Sequence, residues 1–284
     1  MDLSVIILNY NTKDFLQKCL GSVFASLTNS QFEVIVPDNG SIDGSIEMVK
    51  NNFPQVKLIE NNANLGFSAG NNVALRQALG RYCLLLNSDT EVKPDTLDLS
   101  IKYMDAHQDV GVMGCKVLLP DGKLHEASRR RFPNPANAFL RLFGFRKFSG
   151  YNYQNIPVDR EMEVDSVVGA YLLIRKSVMD KIGLLDEEFF MYGEDLDWCW
   201  RVKEAGFKVV YYPGAEITHF LYGSSKAVAF RSVRWAHTAM KIFYLKHYAA
   251  KNNWLFNQFV YLGISTRMYL VLVVNLFRKN KTVH

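Results

Sequence analysis

Through the first third of the chain, short unbroken apolar runs alternate with longer stretches of helical spacing. Residues 3–9 are almost wholly apolar, which predicts a strand buried on both faces rather than one with a solvated side. Between 14 and 27, Phe15, Leu16, Cys19, Leu20, Val23 and Phe24 recur at the three- and four-residue spacing of an amphipathic helix. A second strand is expected at 33–37, closed by Asp38-Asn39-Gly40-Ser41, after which Asp43-Gly44 opens a short helix. A strand at 56–59, a helix at 68–79 and a strand at 81–86 follow. This order predicts an α/β fold with a mostly parallel central sheet and helices on both faces. Ligands of such sheets lie beyond the carboxyl ends of the strands. The polar turns at Asn9, Asp38 and Asn87-Ser88-Asp89 all fall there.

The pattern changes at 120–163, which carries Pro, Asn and Gly, a basic cluster (Arg129, Arg130, Arg131) and the aromatics Phe132, Phe139, Phe143 and Phe145. A long segment of this kind is expected to be a mobile excursion, or short helices, over an active site. Strand character resumes at 164–175, 209–212 and 216–219. The stretch Trp254–Phe277 is apolar but interrupted by Arg267, with Asn257, Gln258, Ser265 and Asn275 near one side of a helical wheel. A membrane span needs about 20 apolar residues with few or no charges. The pattern therefore favours an interfacial amphipathic helix over a span, with a core-packing helix as a third option. The chain divides into a domain at 1–222 and a basic, apolar helical tail at 223–284.

At 284 residues and 49% apolar content, the chain can bury the core of one large α/β domain or two small ones. Its opening, Met1-Asp2-Leu3-Ser4-Val5, reads as a first strand and not as a secretion leader. Cys19, Cys83, Cys115 and Cys199 have neither paired nor metal-ligand spacing, so buried thiols in a reducing compartment are expected. Ten Lys and Arg, and no Asp or Glu, follow Glu216; the net charge of +5 thus joins a body of −5 to a wholly cationic C-terminal stretch. Nucleic acid and anionic membrane are the usual partners of such a stretch.

Two segments carry the chemistry. Leu84-Leu85-Leu86 runs into Asn87-Ser88-Asp89, and Phe189-Phe190-Met191-Tyr192-Gly193 runs into Glu194-Asp195. A carboxylate at a strand end can hold Mg²⁺ or Mn²⁺ and leave the other positions to phosphate oxygens and water. The alternative for Asp89 is an Asx turn capping a helix near Pro94. Asp195 at a helix N-terminus would be kept ionised by the dipole, as a resting base must be, although simple capping would look the same. His219 closes a strand and could reach the same crevice, or be structural. The Gly/Asn loop at 61–72 feeds a helix N-terminus suited to anions, but it matches neither the P-loop nor the dinucleotide fingerprint.

Taken in order, Val5-Ile6-Ile7-Leu8-Asn9-Tyr10-Asn11, Asp38-Asn39-Gly40-Ser41, Asn64-Leu65-Gly66-Phe67, Asn87-Ser88-Asp89, Gly193-Glu194-Asp195 and His219 resemble family 2 glycosyltransferases of the Rossmann-like GT-A fold. The branch most resembled contains bacterial rhamnosyltransferases and related surface-polysaccharide enzymes. The likeness spans residues 3–220. It implies that Leu8 and Asn9 lie against the nucleotide base and that Asp38 accepts the N3–H of uracil or thymine. Asn64, Gly66, Asn71 and Asn87 would flank the donor diphosphate, Asp89 and His219 would hold Mg²⁺ or Mn²⁺, and Asp195, beside Glu194, would be the base.

The motif here is Asn-x-Asp, one negative charge fewer than Asp-x-Asp. The Gln-x-x-Arg-Trp signature of processive relatives is absent near 198–201, which implies addition of one sugar. The implied enzyme is an inverting, metal-dependent transferase acting at the cytoplasmic face of the membrane. Its donor would be a dTDP or UDP sugar, with dTDP-rhamnose first and UDP-hexoses next. Its acceptor would be a lipid-diphosphate-linked saccharide, suited to the basic cluster and the cationic tail. A nucleotidyltransferase would need a basic Gly-rich loop behind the first strand, and Asn9-Tyr10-Asn11-Thr12 is not one. A non-catalytic nucleic-acid binder using the tail is the rival of another class; no nucleic-acid partner is expected.

Overall fold

The apolar runs become the centre of a nine-stranded mixed sheet. The structure, a computed structural model, describes residues 1–134, 137, 150–221 and 229–277. Strand β1 (Leu3–Ile6) is buried at all four positions and pairs in parallel with β2 (Phe32–Asp38) and β4 (Tyr82–Leu86); β3 (Lys57–Glu60) pairs with β2. Alternation then divides the side chains between two cores. Leu3, Val5, Ile7, Leu84 and Leu86 face one core, filled by α1 (Lys13–Phe24), α2 (Ser45–Asn52) and α4 (Thr96–Ala106). Ile6, Cys83 and Leu85 face the other, filled by α3 (Gly66–Leu75), α5 (Lys176–Ile182) and α6 (Glu194–Glu204). All four cysteines are buried and unpaired.

The second half of the sheet adds β5 (Thr90–Val92), β6 (Val110–Leu118), β7 (Met162–Glu163), β8 (Tyr171–Arg175) and β9 (Lys208–His219). The order is β3-β2-β1-β4-β8-β6-β9-β5, with β7 on β9. Strand β8 is antiparallel to both β4 and β6, while β6 and β9 are parallel, so most strands share one direction, as expected.

Three elements differ from the sequence reading. Strand β6 was not anticipated, because Gly111, Gly114 and Lys116 break its apolar run. The reason for Gly114 is packing, since a Cβ there would lie 2.5 Å from Val167 Cβ. The two runs at 209–212 and 216–219 are one strand, β9, whose pairing jumps from Cys115↔Tyr212 to Lys116↔Glu216; a bulge absorbs Pro213-Gly214-Ala215. Residues 164–170 are not strand but a crossing segment ahead of β8.

In the described parts of 120–163, the chain is tied to the body by a 3₁₀ turn (Glu126–Ser128), an Arg130–Ser166 bridge and β7. Phe139, Phe143 and Phe145 lie outside the described residues. The basic cluster does not form a three-charge surface. Arg129 is buried, donating to the Pro157 carbonyl and lying over the Tyr211 ring. Arg130 also turns inward, and only Arg131 is exposed.

Helix α7 (Ala229–His247) docks on α6, with Phe243 and Ala239 against Phe189 and Leu196. Helix α8 (Trp254–Phe277) packs on α7 with Asn257, Arg267 and Asn275 turned inward, while Gln258 stays exposed. Asn257 Oδ1 accepts from Tyr244 at 2.7 Å, Arg267 Nη1 lies 3.3 Å from His237 Nε2, and Asn275 is buried. The outer face is apolar and exposed, with Trp254, Phe259, Leu262, Leu270 and Phe277 among its residues. Among the described residues this is the one helix long and apolar enough to cross a membrane, and only 6% of its most apolar stretch is buried. Arg267 does not interrupt the outer face, because it reaches back to α7. The tail cations Arg278, Lys279 and Lys281 lie outside the described residues.

Candidate active site

The ends of β1, β2 and β4 meet in a hydrogen-bonded knot. Backbone pairing continues past β1 to Asn9, which bridges Asp38. Asn9 Nδ2 donates to Asp38 Oδ2 at 2.7 Å and to Ser41 Oγ at 3.0 Å, and the Ser41 amide donates to Asp38 Oδ1 at 2.7 Å. Thr12 joins this knot to the β4 turn, donating to Asn9 Oδ1 at 2.7 Å with its Oγ1 2.8 Å from Ser88 Oγ. Asp38 is buried and both its oxygens accept internal bonds, though a carboxylate has further lone pairs to offer. Thr12, Ser41 and Ser88 were not singled out in the sequence, since nothing local marks their convergence.

The Gly/Asn loop lies beside the knot. Asn39 Nδ2 donates to the Gly66 carbonyl at 3.0 Å, and Asn64 Oδ1 accepts from the Gly66 amide at 3.0 Å. Leu8 packs on α3, where a Cβ at Gly70 would come within 2.7 Å of Leu8 Cδ1. Asn71 Nδ2 donates to the Phe67 carbonyl of its own helix. Gly66 has φ +83°, and a Cβ there would lie 2.5 Å from the Phe190 carbonyl oxygen. Only glycine meets both demands. The Phe67 amide donates to that same carbonyl, so the loop before α3 is fastened to the aromatic run before α6.

Asp89 and His219 do come together. His219 Nε2 lies 3.1 Å from Asp89 Oδ1 and 3.4 Å from Asn87 Nδ2, and Thr90 pairs with His219 across β5 and β9. Both side chains are buried, and His219 Nδ1 has no partner among the described residues. His125, unmarked in the sequence, lies edge-on to His219 with ring centroids 5.5 Å apart. Burial and then the neighbouring His219 and Arg130 charges push His125 down to about 4, so it is neutral at pH 7. Among the described residues no three His, Cys, Asp or Glu side chains cluster at metal-ligand spacing. An adjacent carboxylate and imidazole fit an ion shared with a bound diphosphate, not one caged by protein alone.

The base candidates open α6 behind Gly193, which has φ +84°. Asp195 is buried and held at both oxygens. Its Oδ2 accepts from Arg130 Nη2 at 2.8 Å and from the Gly169 amide at 3.0 Å, and its Oδ1 accepts from the Leu196 amide at 2.7 Å. Glu194 is buried beside it, with Oε2 unpartnered among the described residues. Burial, and then the charge of Asp195, push Glu194 up to about 8, so Glu194 holds its proton at pH 7. The crossing segment brings the two halves of the site together. Gly169 donates to Asp195, while the adjacent Ala170 carbonyl accepts from the Asn87 amide at 3.1 Å.

Residues 4–183 match the profile of Glycosyl transferase family 2. The chain belongs to this family. It is similar to the N-acetylglucosaminyl-diphospho-decaprenol L-rhamnosyltransferase of Mycobacterium tuberculosis, 28% identical over 234 residues that cover 76% of this chain and 75% of the relative. Against the rhamnosyltransferase WbbL of Escherichia coli it is 27% identical over 241 residues, covering 81% and 88%. Among solved structures, the Pyrobaculum calidifontis mannosyltransferase PcManGT in complex with GDP-Man and Mn²⁺ superposes with TM-score 0.61 at 15% identity, covering 95% of this chain and 75% of the other. The fold is therefore GT-A, and the protein is a rhamnosyltransferase-like glycosyltransferase.

Proposed function

We propose that this protein is an inverting, metal-assisted transferase that adds one rhamnose from dTDP-rhamnose to a lipid-diphosphate-linked saccharide at the cytoplasmic face of the membrane. The observation that supports it most is the shared support at Gly169 and Ala170, which sets the diphosphate-side turn at Asn87 beside the base-side carboxylate of Asp195. In this reading Leu8, Asn9 and Asp38 hold the nucleotide base, and Asn64, Gly66 and Asn71 flank the donor diphosphate. Asp89 and His219 would hold Mg²⁺ or Mn²⁺, which when bound offsets negative charge on the departing diphosphate. Asp195 Oδ1, with one backbone bond, takes the acceptor proton, while Oδ2 stays anchored. Glu194, carrying a proton, adds no second charge. The names of both relatives favour rhamnose, and that of the Mycobacterium tuberculosis enzyme favours a GlcNAc-diphosphate lipid. Transfer assays with dTDP-, UDP- and GDP-sugars on a polyprenyl-diphosphate-GlcNAc acceptor test the reading, and equal use of UDP-hexoses would reject the donor.

Asp89→Ala is expected to weaken nucleotide-diphosphate affinity and divalent-cation dependence together, with His219→Ala doing so more mildly. Transfer by the wild type that persists unchanged in EDTA would remove the metal from the mechanism.

The tail at 223–284 serves attachment in this reading. The polarity of α8 favours it, since the apolar face points away from the protein and Asn257 and Arg267 are satisfied by α7. Basic side chains near an anionic leaflet contribute about 1 kcal/mol each. Binding to liposomes containing anionic lipid is expected to exceed binding to neutral ones and to fall with salt. Equal, salt-insensitive binding to both would leave a purely hydrophobic anchor or a span.

A further inference from the structure

Arg130 lies 65 residues before Asp195 in sequence, and no motif connects them. Its guanidinium is nonetheless built into the site. Nη2 donates to Asp195 Oδ2 at 2.8 Å, to the Val167 carbonyl at 2.6 Å and to Ser166 Oγ at 3.0 Å. The backbone is fixed as well, because the Arg130 amide and carbonyl both bond Ser166. The two charged side chains are 11% and 9% exposed, and Arg130 Nε has no partner among the described residues. A buried guanidinium with an unsatisfied nitrogen is costly, and a well-packed apolar pair often replaces such a bridge without loss of stability. Its placement calls for a reason other than stability.

Resting on the reading of Asp195 as base, we propose that Arg130 is a positioning residue for the transfer step: it clamps Oδ2 of Asp195 and leaves Oδ1 as the proton-accepting atom. Without the clamp, Oδ2 keeps only the Gly169 amide and Oδ1 the Leu196 amide, so the carboxylate loses its charged anchor and is oriented less firmly. The groups around the carboxylate decide its charge state. From α6 they are Glu194, which carries a proton at neutral pH, and the thiol of Cys199, pushed up to about 11 by burial. From the segments packed on it they are Arg130 and the Gly169 amide, with Tyr151 and His125 next around Arg130. Arg130 is the one cation of this set at neutral pH. Loss of a cation beside a carboxylate favours the neutral acid, by about 1–3 pH units in comparable pairs.

The test is a cycle of R130M, R130K and D195N in the full chain, assayed for kcat and KM across pH. R130M is expected to lower kcat about 10–100-fold, within the usual range of one acid–base contribution. Donor KM should stay within a few-fold, and the acidic limb of kcat/KM should move up by about one unit or more. R130K keeps the charge but on a shorter, differently shaped head that does not reproduce the placement of Nη2, so the limb stays while kcat falls several-fold. Neither Arg130 variant should slow D195N further, because a residue acting through Asp195 has nothing left to act on. An unmoved limb in R130M, or losses that multiply in either double variant, would overturn the proposal. If R130M does not fold, R130K with and without D195N still decides by the same non-additivity. Failure of the base reading shows separately, as near wild-type transfer by D195N alone.

Discussion

Asp195→Asn is expected to lower transfer about 10²–10⁴-fold, the usual contribution of a positioned general base. Nucleotide binding should be unchanged, because the carboxylate of Asp195 is engaged by Arg130, Gly169 and Leu196. The amide keeps the shape, and it can still accept from Gly169 or Leu196 through its oxygen. What it loses is the charge that takes a proton and pairs with Arg130. Burial still disfavours the charged form of Glu194 in the variant, but the Asp195 charge that also raised its pKa is gone and Arg130 favours its ionisation. Glu194 in the variant therefore ionises below the value of about 8 it holds beside Asp195, and once ionised it recovers part of the rate, so the variant's residual activity should rise with pH over the range up to about pH 8. Isothermal titration with dTDP and a rate profile over that range check both halves. Transfer within a few-fold of wild type would remove Asp195 from the chemistry, and loss of dTDP binding would give it a structural role instead.

The carboxyl-edge turns were legible in the sequence because each is a local event. An apolar strand that stops at Asn87-Ser88-Asp89, or an aromatic run that stops at Gly193-Glu194-Asp195, marks its own position. What joins those turns is not local. Ser166, Val167, Gly169 and Ala170 do the joining with main-chain and small polar groups, which carry no compositional signal. For the same reason Arg130 reads in sequence as one of three surface charges, and only packing turns it inward. Strand β6 was hidden by glycines whose purpose is the close approach of Val167 and Phe207. On α8 the helical wheel marked a polar side but not its direction, and Gln258 does not share it: Asn257 and Asn275 turn in while Gln258 is exposed. Polar stripes on soluble helices face water by default. Here Tyr244 and His237 of α7 supply the partners, so the stripe faces in and the apolar side faces out.

Asp197→Ala is expected to destabilise the folded protein by about 3–5 kcal/mol, the usual cost of breaking a buried ion pair from one side. Asp197 is fully buried two residues beyond the base and joins α6 to α7. Its Oδ1 accepts from His247 Nε2 at 2.9 Å and pairs with Lys246 at 2.8 Å, while Oδ2 accepts from Arg201 Nε at 2.8 Å. Truncation leaves Lys246 with Asp186 and Arg201 with the carbonyls of Ile182 and Leu184, so the lower end of that range applies. Burial by itself would raise the Asp197 pKa, but His247, Lys246 and Arg201 outweigh it and hold it at about 2. An unfolded Asp titrates at about 3.9. The folded value is the lower one, so this contribution is complete above about pH 4 and is lost as pH falls toward about 2. The linked part is about 2–3 kcal/mol. It is smaller than the truncation cost because protonation leaves the side chain in place, whereas truncation also opens a cavity and takes the acceptor from His247 altogether. Urea unfolding at about pH 7 and about pH 3 separates the two: the gap between wild type and variant should narrow as the unfolded wild-type chain takes up a proton that the folded one does not yet bind. A gap under about 1 kcal/mol at neutral pH, or one that does not narrow, would show that α7 is held to α6 by Phe189, Leu196 and Phe243 alone.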